Sequence, residues 1–246
     1  MAKMRLKLEA RPEPSKFWGY GSPFLALLVT ILVGVLLFEL LGADPVRGIR
    51  MFLWEPISST YQLGELMVKA TPLLLIALGL ALCFRSSIWN IGAEGQYIMG
   101  GIAGAAVALA AYPAEGWWIF PAMVIAGSIG GALWGAIPAL LKTRFNAEET
   151  LTTLMLAYVA NHLLSYMVNG PWRDPEGMNF PQSIMFSDNA LFSILLEGSR
   201  VNTSLFITIA AVLAFWMFNA RSFLHFQLEV GGHAPAASLY AGFSSR

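Results

Sequence analysis

Cysteine occurs once, as Cys83 inside an apolar run, so the chain has no disulfide framework and no thiolate cluster for a metal. Histidine occurs three times, at His162, His225 and His233, too scattered to form a His-Glu-x-x-His pair on one helix face, so no metal site is expected. A Gly-x-x-x-x-Gly-Lys phosphate loop is missing, which excludes ATP hydrolysis by that route in this chain. A Gly-x-Ser-x-Gly nucleophile elbow is missing too. Charge is scarce as well. Charged residues make up 12% and sum to a formal net charge of zero, which gives no basic surface for nucleic acid.

Apolar sequence is what the chain has in abundance. Hydrophobic residues reach 57% and the mean hydropathy is +0.61, far from a soluble domain with its usual ~25% of charged residues. The expectation is an all-α, polytopic membrane protein of about six transmembrane helices, the lipid bilayer itself being its solvent.

Residues 1–22, with Lys3, Arg5, Lys7, Arg11 and Lys16, read as a cytoplasmic N-terminal tail, and residues 23–41 as a first span. That apolar run is too long for a secretory signal peptide, and further spans follow. Residues 42–61 are mixed in character and suit an amphipathic segment on the outer surface, with Trp54 as an interfacial anchor. Later spans are expected at about 66–84, 97–111, 117–141, 150–168 and 201–218, with a helix near 190–196 in the long outer loop between the last two. Glu65 and Lys69 stand in the order that favours a helical ion pair. Gly127, Gly131 and Gly135 recur at intervals of four beside Gly100, Gly101 and Gly104 in the preceding span, a pattern read as close helix packing. Asn146 is read as a helix N-cap, with Glu149 in the capping-box position.

Between two of these runs lies Asn90-Ile91-Gly92-Ala93-Glu94-Gly95-Gln96. The flanking apolar runs, 71–84 and 97–111, each fall short of the ~20 residues of a spanning helix, so part of the polar stretch is expected at or near membrane depth. Amide and carboxyl groups there must face protein or water, because exposure to lipid costs several kcal/mol per group, roughly. Asn90, Glu94 and Gln96 suit either the lining of a path or a hydrogen-bonded junction between spans. Asn161 and His162, deep in a later span, carry the same two readings.

Counting basic residues orients the chain. Ten fall on the side of the tail, including Arg85, Lys142, Arg144, Arg221 and Arg246, against five on the other (Arg47, Arg50, Lys69, Arg173 and Arg200), which places both termini inside.

The polar stretch resembles the Asn-Ile-Gly-(Ala/Gly)-Glu-Gly-Gln signature of permease subunits of bacterial ABC importers for simple sugars and nucleosides. Ala70-Thr71-Pro72-Leu73-Leu74, residues 146–153 and Gly170-Pro171-Trp172-Arg173-Asp174-Pro175 are similar to other stretches of that family, over roughly residues 64–243. The resemblance implies a transmembrane permease domain over 23–220 and a cytoplasmic coupling segment within 221–246. In the coupling segment Gly232, Pro235, Ala236, Ala237, Tyr240, Ala241 and Gly242 would dock in a groove of an ATPase subunit. Two departures stand there: Ala234 precedes Pro235 where the family often has Asn, and Leu239 replaces a frequent basic residue. Members of the family continue for several further spans, so the resemblance also implies a chain lacking its last spans.

The function so implied is that of a non-enzymatic subunit of an ATP-driven importer of nucleosides or simple sugars in the bacterial inner membrane. Its implied partners are an ABC ATPase carrying ATP and Mg²⁺, a second permease subunit, and a periplasmic or lipid-anchored substrate-binding protein. Asn90, Glu94, Gln96, Asn161 and His162 are the expected path residues. The rival readings are a stand-alone secondary carrier, which would show an inverted repeat between halves, and an intramembrane enzyme, for which the spacing supplies no second catalytic group.

Overall fold

The structure, a computed structural model, describes residues 15–178 and 180–243. Lys3, Arg5, Lys7, Arg11 and Arg246, which weigh in the charge count, lie outside the described residues. Among the described residues are nine α-helices: α1 (Lys16–Leu40), α2 (Pro45–Leu53), α3 (Thr60–Arg85), α4 (Ala93–Ala111), α5 (Ile119–Phe145), α6 (Glu149–Asn169), α7 (Ser204–Arg221), α8 (Phe223–His233) and α9 (Pro235–Tyr240). The extended pairings described are two isolated bridges, Arg173 with Ser183 and Ile194 with Asn202.

Five of these helices, α1, α3, α5, α6 and α7, are long and apolar enough to cross a membrane. The architecture is that of a polytopic helical membrane protein. The expected sixth span, α4, has 19 residues but is not among them, since it is built largely of Gly and Ala and carries Glu94 and Gln96 in its first turn.

By contacts the chain divides into two units at Leu66 and Met67. In the first, α1 begins at Lys16, ahead of the expected start at residue 23, because Phe17, Trp18 and Tyr20 are compatible with a helix and Pro23 is accommodated inside it. After α1, Asp44 caps α2: its carboxylate accepts hydrogen bonds from the backbone N–H groups of Val46 (2.9 Å) and Arg47 (3.2 Å), and Pro45 occupies the first turn. The amphipathic segment expected over 42–61 is therefore a capped helix, followed by a 3₁₀ turn at Glu55–Ile57. Gly48 of α2 faces the ring of Phe38, where a Cβ would sit 2.7 Å from ring carbons.

In the second unit α4 packs against α5 and α6. Two of the glycines at intervals of four on α5, Gly127 and Gly131, meet α4 backbone to backbone, and the third, Gly135, faces the Gln96 side chain: a Cβ on Gly100 would lie 2.9 Å from the Gly127 carbonyl oxygen, and one on Gly131 3.1 Å from that of Gln96. Where lipid tails are as apolar as leucine, such close approach is what gains dispersion energy. A small core at one end of α4 and α5 gathers Ala108, Ile119 and Ala190, with Met123 and Phe186 against it. Ala190 belongs to a 3₁₀ turn, Asp188–Ala190, which stands where a helix over 190–196 was expected; chain after it runs extended into the Ile194 bridge.

The N-cap reading of Asn146 does not hold. Asn146 closes α5 in the left-handed conformation (φ 53°), its N–H donating to the Lys142 carbonyl, and α6 starts after Glu148 with no side-chain cap. Asparagine serves both ends of helices, and a connection this short puts the αL closure of α5 first. Asn146→Gly is accordingly expected to leave thermal unfolding in detergent unchanged or slightly raised, whereas Asn146→Leu lowers stability by about 1–2 kcal/mol.

Candidate functional site

The polar stretch begins where α3 closes. Ser87 is left-handed (φ 56°), the N–H of Ile88 donates to the Cys83 carbonyl (2.9 Å) and that of Ser87 to the Phe84 carbonyl (3.0 Å), a Schellman closure. Since α3 runs for 26 residues, about 39 Å, the polar stretch is not needed to complete it; the helix reaches back through Glu65 and Lys69 to Thr60. On the other side α4 starts at Ala93 and takes Glu94 and Gln96 into its first turn.

Asn90 organises the turn between the two helices. Its side-chain oxygen accepts from the Gly92 N–H (2.9 Å), an Asx turn that starts α4, while its amide nitrogen faces Gln96 Oε1 at 3.5 Å. The turn is pinned to α6, since the Ile91 N–H donates to Thr153 Oγ1 (3.2 Å), whose own hydroxyl donates to the Glu149 carbonyl (2.7 Å). Gly92 and Gly95 lie directly on that helix: a Cβ would meet the Thr153 carbonyl oxygen at 2.5 Å and the Ala157 Cα at 2.7 Å. The glycines of the signature are thus places where two backbones touch.

Two cavities flank this turn. One, of about 370 Å³, is lined by Cys83, Asn90, Gln96, Lys142, Glu149 and Thr153, among others. A second, of about 260 Å³, lies toward the Leu75–Leu80 face of α3 and shares Cys83, Asn90 and Gln96 with the first. Asn90 and Gln96 consequently offer amide donors and acceptors to both spaces, whose walls are otherwise mostly apolar apart from Lys142, Glu149, Thr143 and Thr153 of the larger one. That is a lining suited to a neutral, hydroxyl- or amide-bearing solute.

Glu94 and Asn161 come together on the other side of α4, with Asn161 Nδ2 donating to Glu94 Oε1 at 3.4 Å, and both residues are exposed. Neither they nor His162, exposed beside Asn161 on α6, line the two cavities. Lys142 and Glu149 form an ion pair of 2.7 Å that bridges the α5–α6 turn at the edge of the larger cavity. Lys142 is nearly half exposed, so Lys142→Met is expected to change stability by no more than about 1 kcal/mol in thermal unfolding. Among the described residues, no three His, Cys, Asp or Glu side chains cluster as a metal site would require.

Cys83, Thr153, Lys142 and Glu149 join the site without having been singled out for it. The signal for Thr153 was spacing: Thr153, Ala157 and Ala160 are small, sit on one face of α6 and are buried, opposite Gly92 and Gly95.

Toward the C-terminal end of the sequence, α8 is capped by Ser222 and α9 starts on Pro235. Tyr240 is 96% exposed and Leu239, Pro235, Ala236, Ala237, Ala241 and Gly242 are exposed with it, while Ser238 is buried. Gly242 is left-handed (φ 76°) and turns the chain so that Phe243 packs on Phe223 and Phe226 of α8. Phe243, unlike Tyr240, is therefore committed to its own chain. Gly232 faces inward as well, against the backbone of Ser86.

Residues 62–246 match the family described as branched-chain amino acid transport system / permease component. The chain belongs to this permease family. It is 34% identical over 98% of its length to a glucose ABC transporter permease protein of Haloferax volcanii, spanning 66% of that protein. It is 30% identical over 91% of its length to a guanosine ABC transporter permease protein of Bacillus subtilis, and 29% identical over 91% to a nucleoside ABC transporter permease protein of Lactococcus lactis, spanning 64% of each. The permease thus spans about two thirds of the length of these relatives. No solved structure matches it.

Proposed function

We propose that this permease is the membrane-spanning subunit of an ATP-driven importer of nucleosides or simple sugars. Asn90 and Gln96 line the solute path and a separate ABC ATPase supplies the energy. The observation that carries this reading is the position of the two amides, shared by both cavities at the end of α3 and the start of α4. Relatives named as glucose, guanosine and nucleoside permeases support the substrate class. So does the lining, because sugars and nucleosides are neutral and rich in hydroxyls, to which the Asn90 and Gln96 amides can both donate and accept.

In the complete importer a periplasmic or lipid-anchored binding protein delivers the solute to the outer loop. That loop is held by Asp174, which accepts from Gln182 Nε2 (3.2 Å) through its carboxylate and donates its N–H to the Gln182 carbonyl (2.9 Å). ATP and Mg²⁺ bind the ATPase, which docks on α9 through Tyr240 and the small residues around it, and a second permease subunit completes the path. Access then alternates as α9 is displaced, with Glu94, Asn161 and His162 on the face of α4 and α6 away from the two cavities.

Reconstituting the importer with its ATPase and binding protein and measuring uptake of labelled guanosine, adenosine, glucose and ribose tests this reading. ATP-dependent uptake of at least one of these is expected. Uptake that proceeds without the ATPase, or chemical turnover of any of the four, would contradict it. Within the same assay Tyr240→Ala is expected to cut uptake about tenfold or more by weakening the docked ATPase, as loss of an aromatic anchor does.

A further inference from the structure

The last residue of α3, Arg85, touches two other helices. Its Nη1 donates to Asn219 Oδ1 on α7 (2.6 Å) and stands 3.0 Å from His225 Nε2 on α8. The guanidinium only donates, so in this contact Nε2 takes the acceptor role. The His225 ring is buried and edge-on to Phe218, with the Glu229 carboxylate 3.7 Å away from the same nitrogen. One residue on, the Ser86 backbone is the surface on which Gly232 of α8 rests: a Cβ there would come within 2.5 Å of the Ser86 carbonyl oxygen. Thus α8 grips residues 85 and 86 at two points, His225 near its start and Gly232 near its end. Those two residues lead directly into the left-handed Ser87 and the turn that presents Asn90. At its other end α8 passes through Ala234 into α9, whose buried Ser238 lies against Gly231.

We infer that Arg85 is a positioning residue that links the ATPase-docking helix to the solute-lining turn. When α9 is displaced, α8 moves as a lever, and the Arg85–His225 and Ser86–Gly232 contacts carry that displacement to Asn90 and Gln96. The inference rests on the reading of α9 as the ATPase-docking helix and adds the route by which docking reaches the path. Coupling of this kind needs a physical connection whose two ends are both biased by the partner sites, and the pairings at 85–225 and 86–232 supply one across 140 and 146 positions of sequence.

The test is made in the reconstituted importer, comparing wild type, Arg85→Gln, Arg85→Lys and Tyr240→Ala for three quantities: ATPase retained on the permease, ATP hydrolysed, and solute taken up. Arg85→Gln is expected to retain the ATPase yet raise the ATP hydrolysed per solute about tenfold, with Arg85→Lys recovering part of the loss. A merely structural role would lower hydrolysis and uptake together and leave their ratio alone, and that result would overturn the inference. If Tyr240→Ala leaves ATPase retention unchanged, the docking reading itself fails, whereas retention lost there with an unchanged ratio in Arg85→Gln refutes the linkage alone. Should Arg85→Gln not insert, His225→Leu removes the acceptor from α8 without altering α3, and an unchanged ratio in that variant equally overturns the linkage.

Discussion

Gly95→Leu is expected to abolish uptake and to lower the thermal stability of the permease by about 3 kcal/mol or more. The neighbour is backbone: a Cβ at position 95 would stand 2.7 Å from the Ala157 Cα and 3.2 Å from both the Ala157 nitrogen and the Leu156 carbonyl oxygen. No rotamer relieves such a contact, so α4 and α6 would have to separate. Separation would also break the hydrogen bond from the Ile91 N–H to Thr153. Gly101→Leu is the matched control. It lies on the same helix, nothing comes within 4 Å of its Cβ position, and its effect on stability is expected to stay within about 0.5 kcal/mol. Thermal unfolding of the two variants in detergent, followed by uptake in the reconstituted importer, checks the pair. Equal losses in both would mean that α4 is intolerant of bulk generally, not at its crossing with α6.

Asn90→Asp is expected to fold as the wild type does and to lose uptake about tenfold. The two halves of the Asn90 amide do different things: its oxygen starts α4 by accepting from the Gly92 N–H, and its nitrogen faces Gln96 and the cavities. Aspartate keeps the acceptor and removes the donor. Asn90→Ala removes both, and adds a stability loss of about 1 kcal/mol to the loss of uptake. Gln96→Leu, one turn into α4, is expected to match Asn90→Asp in uptake, because it takes away the other amide shared by the two cavities. A binding isotherm for the solute in the assembled importer separates weakened recognition from slowed movement.

Much of this arrangement could be read from residue order. Long apolar stretches fix helices whatever surrounds them, and α5, α6 and α7 begin and end within a few residues of their expected bounds. Glycine at intervals of four on α5 announced a crossing, since only close backbone approach makes such spacing useful. Helix ends were less legible. Charged Glu65 and Lys69 made α3 look short, although a helix of 26 residues can carry them toward its amino end. Asn146 was compatible with opening α6 or closing α5, and only the three-dimensional connection decides. At the site, Asn90 and Gln96 were marked by their polarity between apolar runs. Cys83 and Thr153 were not, because a cysteine or threonine in a span is ordinary until its neighbours are known. Glu94, Asn161 and His162 show the converse: polarity in a span identified them, and geometry then put them on the face away from the cavities.

The central claim is that the turn between α3 and α4 lines the solute path, and the single thiol of the chain offers its most direct test. Cys83 borders both cavities, beside Asn90 and Gln96, so no substitution is needed to place a probe there. In the assembled importer, with Cys83→Ala as the blank and a cysteine-free partner set, the rate at which a small water-soluble thiosulfonate modifies Cys83 should fall severalfold when solute and binding protein are added. It should change again when ATP is bound by the partner. A thiol that stays unreactive in every state, or reacts at one rate regardless of solute and ATP, would contradict the claim.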